Sequence, residues 1–305
     1  MTTDNTYDLI IICGGPGGLT AAIYALRAKL NLLLIEKMGI GGQIALSDVV
    51  ENYPGVPAVS GVELMAKFEE QAKSFGLQTD YAEVQSIKDN GDHRLITTSA
   101  GELRAKAVIV ASGAKPRRLG VPGEAEYTGR GVSYCATCDG FFFRGKEVAV
   151  VGGGDTAVKE ALFLAKLVNK VHLIHRRDAL RAEKIHQEQA LAHPKIEFHW
   201  DSVVTEITGE TTVSGVVLKN VKTGAAEHVA VDGAFVFVGI LPNADFIDCA
   251  KDEAGFIKTD DHMRTSQPGV FAIGDVRTTV LRQVATSVGD GAIAAHVAGE
   301  FVENL

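Results

Sequence analysis

Two stretches of this chain are versions of one another. Tyr7 to Lys37 (YDLIIICGGPGGLTAAIYALRAKLNLLLIEK) and Glu147 to Arg177 (EVAVVGGGDTAVKEALFLAKLVNKVHLIHRR) each read as apolar strand, glycine turn, amphipathic helix, apolar strand. A strand-helix-strand opening of this kind commits the chain to parallel sheets with crossover helices. It therefore predicts two dinucleotide-binding domains of α/β class, Rossmann-like and three-layered. With 305 residues, the chain has room for two domains of ordinary size.

Small residues occupy the places in each copy where a pyrophosphate must approach the backbone, Gly15 and Gly18 in the first, Gly152, Gly154 and Ala157 in the second, and Pro16, Asp155 and Thr156 beside them are candidate nucleotide-binding residues. Glycine lets backbone N–H groups meet an anion at the positive end of a helix. One such fingerprint is weak evidence, whereas two in the same register with the right flanks are strong. Aligned without a gap, Cys13 falls against Gly152, Gly15 against Gly154, and Glu36 against His175.

The last pairing separates the two copies. A carboxylate at the end of the second strand accepts hydrogen bonds from ribose hydroxyls and repels a 2′-phosphate, so Glu36, followed by Lys37, suits FAD or NAD. The second copy ends in HRRDALR and offers His175, Arg176, Arg177 and Arg181 to a doubly charged phosphate, which suits NADPH. Cys13 departs from the pattern, because the first small residue of the fingerprint is ordinarily the glycine of the tight turn. Gly14 is expected to relieve part of the strain, and Cys13 reads as a small buried hydrophobe.

Composition narrows the function. A hydrophobic fraction of 46% with 22% charged residues describes a chain with a packed interior. Thirty basic against 38 acidic residues give a net charge of −8, the wrong sign for a phosphate backbone, so no nucleic-acid partner is expected. The opening MTTDNTYDL carries acids where a secretory signal has Lys or Arg, and no export address is expected. Leu9 to Leu26 is uncharged over a membrane-spanning length, but CGGPGG at its centre breaks a helix, so no membrane span is expected either.

Only four cysteines occur, Cys13, Cys135, Cys138 and Cys249, too few for a disulfide scaffold. A reducing cytoplasm fits that count, and Cys249 reads as a plain buried thiol. Cys135 and Cys138 stand as CATCDG just ahead of the second fingerprint. Zinc would require about four ligands, usually two such pairs, and no second pair accompanies this one, so no metal is expected there. A static bridge closing so short a loop gains little entropy. Redox use is the reading that remains.

Taken in order, GGPGGLTAA, GIGGQI, VENYPG, ASGAKPR, CATCDG, GGGDTAVKEA, HRRDALRAEK, GVFAIGDVR and RQVATSVGDGAIAA closely resemble the low-molecular-weight thioredoxin reductases, class II pyridine nucleotide-disulphide oxidoreductases, from end to end. The resemblance implies a flavin domain in two pieces, 1–114 and 242–305, with an NADPH domain, 115–241, inserted between them and swivelling on Gly- and Pro-rich crossings. It places Gly42, Gln43, Asn52, Gly274, Asp275, Gln283, Val284 and Ala285 near FAD. It further implies that electrons pass from NADPH through FAD to the Cys135/Cys138 disulfide and on to thioredoxin. In that relay Cys138 faces the flavin, Cys135 exchanges with the protein substrate, and Asp139 is the general acid, a task that favours a raised pKa. Homodimerisation and a cytoplasmic setting come with the same resemblance.

Three other readings are weighed against it. A flavin dithiol oxidase of the same fold would have no use for HRRDALR, and a ferredoxin or flavodoxin NADP reductase would have no use for the CxxC. A nucleotide-sensing module without turnover would need neither Cys135 nor Cys138.

Overall fold

Every position from Leu9 to Ile12 is apolar, so a strand built from this run must be covered on both faces. In the computed structural model, which describes residues 6–47 and 49–305, Thr6–Ile12 is such a strand. It pairs in parallel with Leu32–Glu36 on one side and with Gly101–Val110 on the other. The helix Pro16–Arg27 makes the crossover that parallel pairing requires.

The chain divides into two compact units, Met1–Lys115 with Leu241–Leu305, and Pro116–Ile240. The first holds a seven-stranded sheet in the order Thr79–Tyr81, Leu32–Glu36, Thr6–Ile12, Gly101–Val110, Arg94–Thr98, Val84–Asp89. Its seventh strand, Val270–Ala272, arrives from the far end of the chain. It pairs with Val108 to Val110 of the long strand, whose earlier residues are paired with Arg94–Thr98. Leu9, Ile11, Leu34 and Ile109 meet helices on one face, while Ile10, Ile12, Leu33 and Val110 meet Ile96, Ile247 and Ile257 on the other.

On the first face the helix Val284–Glu303 lies against Pro16–Arg27, with Ala21, Ala22 and Ala25 sharing a core with Ala294, Ala295 and Ala298. At Gly291 any Cβ would strike the Gly17 carbonyl oxygen. The small residues of VATSVGDGAIAA thus have a packing role, because they bring two helix backbones into contact. That contact sets where both helices begin.

The unit Pro116–Ile240 carries a five-stranded sheet ordered Ile196–His199, Lys170–Ile174, Glu147–Val151, Gly233–Val236, Val132–Ser133. Strand alternation turns Val148, Val150, Val171 and Leu173 toward the helix Asp155–Leu164. Ala149, Val151, Ile174 and Val236 face the opposite way, onto the antiparallel sheet Ser202–Gly209, Val213–Asn220, Ala226–Ala230. The result is the three-layered Rossmann-like arrangement, with the second unit inserted into the first. Ala114–Pro116 and Ile240–Pro242, where the chain crosses between units, pair with each other as a two-stranded sheet. The uncharged stretch from Leu9 is split between a strand and a helix. Among the described residues no helix is long and apolar enough to cross a membrane.

Candidate functional site

At the end of the first strand the chain turns on Cys13, which adopts φ 77°. The left-handed conformation thus falls on Cys13 itself, whereas the sequence reading expects Gly14 to relieve part of the strain. The reason lies in two hydrogen bonds: the Cys13 N–H donates to the Ile35 carbonyl at 2.8 Å and the Gly14 N–H to Glu36 Oε2 at 2.8 Å. With both amides pinned, the left-handed conformation falls on the cysteine, at a cost of about 1–2 kcal/mol relative to glycine. Its counterpart Gly152 has φ 151°.

Glu36 is buried, and its other oxygen accepts from the N–H groups of Lys37 at 2.8 Å and Met38 at 3.1 Å. The carboxylate is thereby fixed at the strand end. The Lys37 ammonium, by contrast, is engaged by Glu83 at 2.6 Å on the surface. Gly15 caps the helix Pro16–Arg27 without any side-chain bond, and a Cβ on it would meet nothing within 4 Å. Proline at the first helical position presets the turn. At Gly18 a Cβ would collide with the Cys13 carbonyl, so glycine is required there for the helix to leave the strand so closely. Gly42, at φ 61°, opens a 3₁₀ turn, Gly42–Leu46, in which Gln43 is exposed.

The C-terminal residues come to the same unit. Asn52 Nδ2 donates to Gln283 Oε1 at 3.0 Å across 231 residues of sequence. Gln283 is the N-cap of the helix that begins with Val284 and Ala285. Gly274 has φ 67° and donates its N–H to Asp290 Oδ2 at 3.0 Å. Asp275 accepts no hydrogen bond among the described residues, and burial pushes its carboxyl above the ordinary range despite the Arg282 guanidinium. Arg282, which sequence reasoning passed over, lies 4.3 Å over the Phe256 ring with its Nε buried and unpartnered. Its place beside Gln283 was the available signal. An open glycine turn, a helix start with no side-chain cap, a fixed carboxylate and a partly buried acid that accepts no hydrogen bond among the described residues fit a flavin nucleotide.

Cys13 is not a third reactive thiol. Burial, followed by the Glu36 charge, pushes it up to about 12. At pH 8 roughly one molecule in 10⁴ then carries the thiolate, the reactive form. Iodoacetamide at pH 8 is expected to modify Cys13 at least about 10³-fold more slowly than an ordinary exposed thiol, followed by peptide mass spectrometry. Alkylation at the ordinary rate would show that the turn opens.

In the second fingerprint Gly154 caps the helix Asp155–Leu164, again without a side-chain bond and with open space around it. A Cβ on Gly152 would come within 2.6 Å of the Ala157 methyl, and Ala157 is itself fully buried. Thr156 is exposed at the helix start, while Asp155 Oδ1 accepts from the Glu183 N–H at 2.8 Å. His175 is buried with Nε2 unpartnered, and its ring lies where a Cβ on Gly153 would sit. Desolvation, then the charges of Arg181, Arg177 and Arg176, hold this imidazole below its usual range. Arg176, Arg177 and Arg181 are exposed and form no ion pair among the described residues. Three cations without acidic partners next to an uncapped helix start fit a phosphorylated nucleotide, with neutral His175 forming the wall behind them.

Cys135 and Cys138 are joined in a disulfide within one turn of helix, Ala136–Asp139. Both are partly exposed. The Asp139 side chain makes no helix-cap bond. Instead Ser133 Oγ donates to Asp139 Oδ2 at 2.6 Å and accepts from the Cys135 N–H at 3.1 Å. Buried Ser133, a residue the sequence reading missed, thus ties the acid to the backbone of the first cysteine.

The chain belongs to the pyridine nucleotide-disulphide oxidoreductase family, whose model matches residues 7–291. Flavin and nicotinamide cofactors are implied by that membership. It is 48% identical to the thioredoxin reductase of Treponema pallidum over 100% of this chain and 99% of the relative. With the thioredoxin reductase of Bacillus subtilis it shares 44% identity over 100% and 98%. The crystal structure of thioredoxin reductase from Streptococcus pyogenes matches at a TM-score of 0.93 with 48% identity, covering 99% of this chain and 100% of that one.

Proposed function

We propose that this chain is an NADPH-dependent thioredoxin reductase that holds FAD in the unit Met1–Lys115 with Leu241–Leu305, and NADPH beside the redox disulfide in Pro116–Ile240. The observation that carries the reading is the Cys135–Cys138 bond in a unit whose own nucleotide fingerprint is followed by three arginines that form no ion pair among the described residues. When bound, the flavin supplies two-electron transfer between nicotinamide and disulfide. Glu36 would hold its ribose hydroxyls, Gly15, Pro16 and Gly18 would admit the pyrophosphate, and Asp275 would take the ribityl side. Gly42, Gln43, Asn52, Gln283, Val284 and Ala285 would complete the flavin site, as the family likeness supports.

Cys138 accepts the electron pair as the Cys135–Cys138 bond breaks. Asp139 delivers the proton that converts the departing thiolate to a thiol and takes it back later. The Cys135 thiolate then attacks the thioredoxin disulfide, forming a mixed disulfide and releasing one thioredoxin thiolate. Cys138 attacks Cys135, re-forms the internal bond and frees reduced thioredoxin. Electrons balance: the two that enter leave as one dithiol. The family likeness supports a homodimer, which sedimentation should show as twice the chain mass, and four cysteines with two free support the cytoplasm.

The phosphate assignment has its own test. Arg176→Ala with Arg177→Ala removes two charge-assisted contacts, and KM for NADPH is expected to rise about 10²-fold, with little change for NADH. Steady-state kinetics with both nucleotides measure this, and equal effects on both would remove the 2′-phosphate from these side chains.

A further inference from the structure

Away from the disulfide and both fingerprints, the parallel sheet of Pro116–Ile240 places an unusual group on one face. Register pairs His172 with Glu197, and Ile174 with His199, on the adjacent strands Lys170–Ile174 and Ile196–His199. Side chains two apart share a face. His172, Glu197 and His199 therefore converge, and their nearest ligand atoms lie within 4.8 Å of one another.

Both rings are covered, yet they face each other nitrogen to nitrogen: His172 Nδ1 is 3.1 Å from His199 Nε2. Two nitrogens held about 2.0–2.1 Å from one ion would subtend roughly 100° at that separation, within the range between tetrahedral and octahedral angles. Glu197 completes the set with Oε1, 3.7 Å from His199 Nε2, while its other oxygen is held by Lys170. The outward nitrogens also have carboxylates. Glu147 Oε2 is 3.0 Å from His172 Nε2, and Glu227 Oε2 is 3.6 Å from His199 Nδ1. A carboxylate on the far nitrogen fixes the tautomer and turns the near nitrogen's lone pair inward, the arrangement that orients histidine ligands on metals.

Charge points the same way. The carboxylates of Glu147, Glu197 and Glu227 outnumber the one ammonium among them, Lys170, and leave a surplus of acidic side chains around the two rings. A simple histidine-to-histidine hydrogen bond satisfies the ring nitrogens but leaves that surplus in place. A dication removes it. Entry is open, since the side chains of Glu147, Glu197 and Glu227 are 47%, 48% and 63% exposed.

We infer that His172, His199 and Glu197 form a binding site for a divalent cation of the zinc class, with Glu147 and Glu227 as the acids that orient the rings. Imidazole and carboxylate donors suit zinc, cobalt and nickel ions. The site ties the edge strand Ile196–His199 to its neighbour and, through Glu227, to the antiparallel layer. Sequence spacing alone could not expose it, because His172 and Glu197 meet only through strand register.

The test uses untagged full-length holoenzyme, kept oxidised so that Cys135 and Cys138 offer no thiolates, stripped with chelator and titrated with Co(II) and then Zn(II). One equivalent of Co(II) per chain is expected, with visible ligand-field absorption that Zn(II) abolishes and a rise of several degrees in the unfolding temperature. His199→Gln and Glu197→Gln are each expected to weaken binding at least about tenfold. Both rings are covered, so the exposed Glu197 carries the test should a histidine replacement disturb the fold. His186→Gln, in the separate cluster of Asp155, Glu183 and His186, is expected to change nothing. Absence of saturable binding, affinity unchanged in both variants, or loss on His186→Gln instead would each overturn the site.

Discussion

Cys138→Ser is expected to abolish thioredoxin reduction while leaving the bleaching of the flavin colour by NADPH intact. Serine at this position removes the sulfur that must accept the electron pair and later expel the substrate from Cys135. The surrounding protein has little reason to suffer. A bridge between residues three apart closes a very short loop and adds little stability. Both cysteines are also partly exposed, so no core volume is lost. Turnover of thioredoxin should fall to background, and a single mixed disulfide between Cys135 and thioredoxin should accumulate on a non-reducing gel. Stopped-flow absorbance and mass spectrometry follow the two halves separately. Retained turnover would take the disulfide out of the reaction path.

The second large effect belongs to Asp139. Positioned acids contribute about 10²–10⁴-fold to proton-transfer steps, and an amide of the same shape cannot deliver a proton. Ser133 Oγ, 2.6 Å from Asp139 Oδ2, can donate equally to the carbonyl oxygen of an amide. Asp139→Asn should thus keep its place and lose only its chemistry. The expected outcome is a fall of about 10²-fold or more in the dithiol step, with the preceding oxidation of NADPH unchanged in rapid-mixing experiments. A change below about threefold would assign the proton to another group or to water.

What the sequence disclosed and what it withheld follow from the reach of each interaction. Apolar runs, glycine turns and the Glu36 and Arg176 strand ends are local in the chain, and a period of two or of 3.6 residues announces them. The disulfide partners are three residues apart and were legible for the same reason. Ser133 was not, because a serine two positions before a cysteine is ordinary until its hydroxyl is seen on Asp139. Arg282 gave no sign of lying over Phe256, which is distant in sequence. At Cys13 the sequence showed a departure but not which residue would bear the strain, since that depends on hydrogen bonds to Ile35 and Glu36 across the sheet. His172 and His199 are the extreme case, two unremarkable strand residues joined by register.

One assay bears most directly on the account: purified enzyme, excess NADPH and oxidised thioredoxin, with thiols counted as they form. Two thiols appearing on thioredoxin for each NADPH consumed, with none formed when either nucleotide or enzyme is left out, is the predicted result. NADPH consumed at full rate while thioredoxin stays oxidised would contradict it.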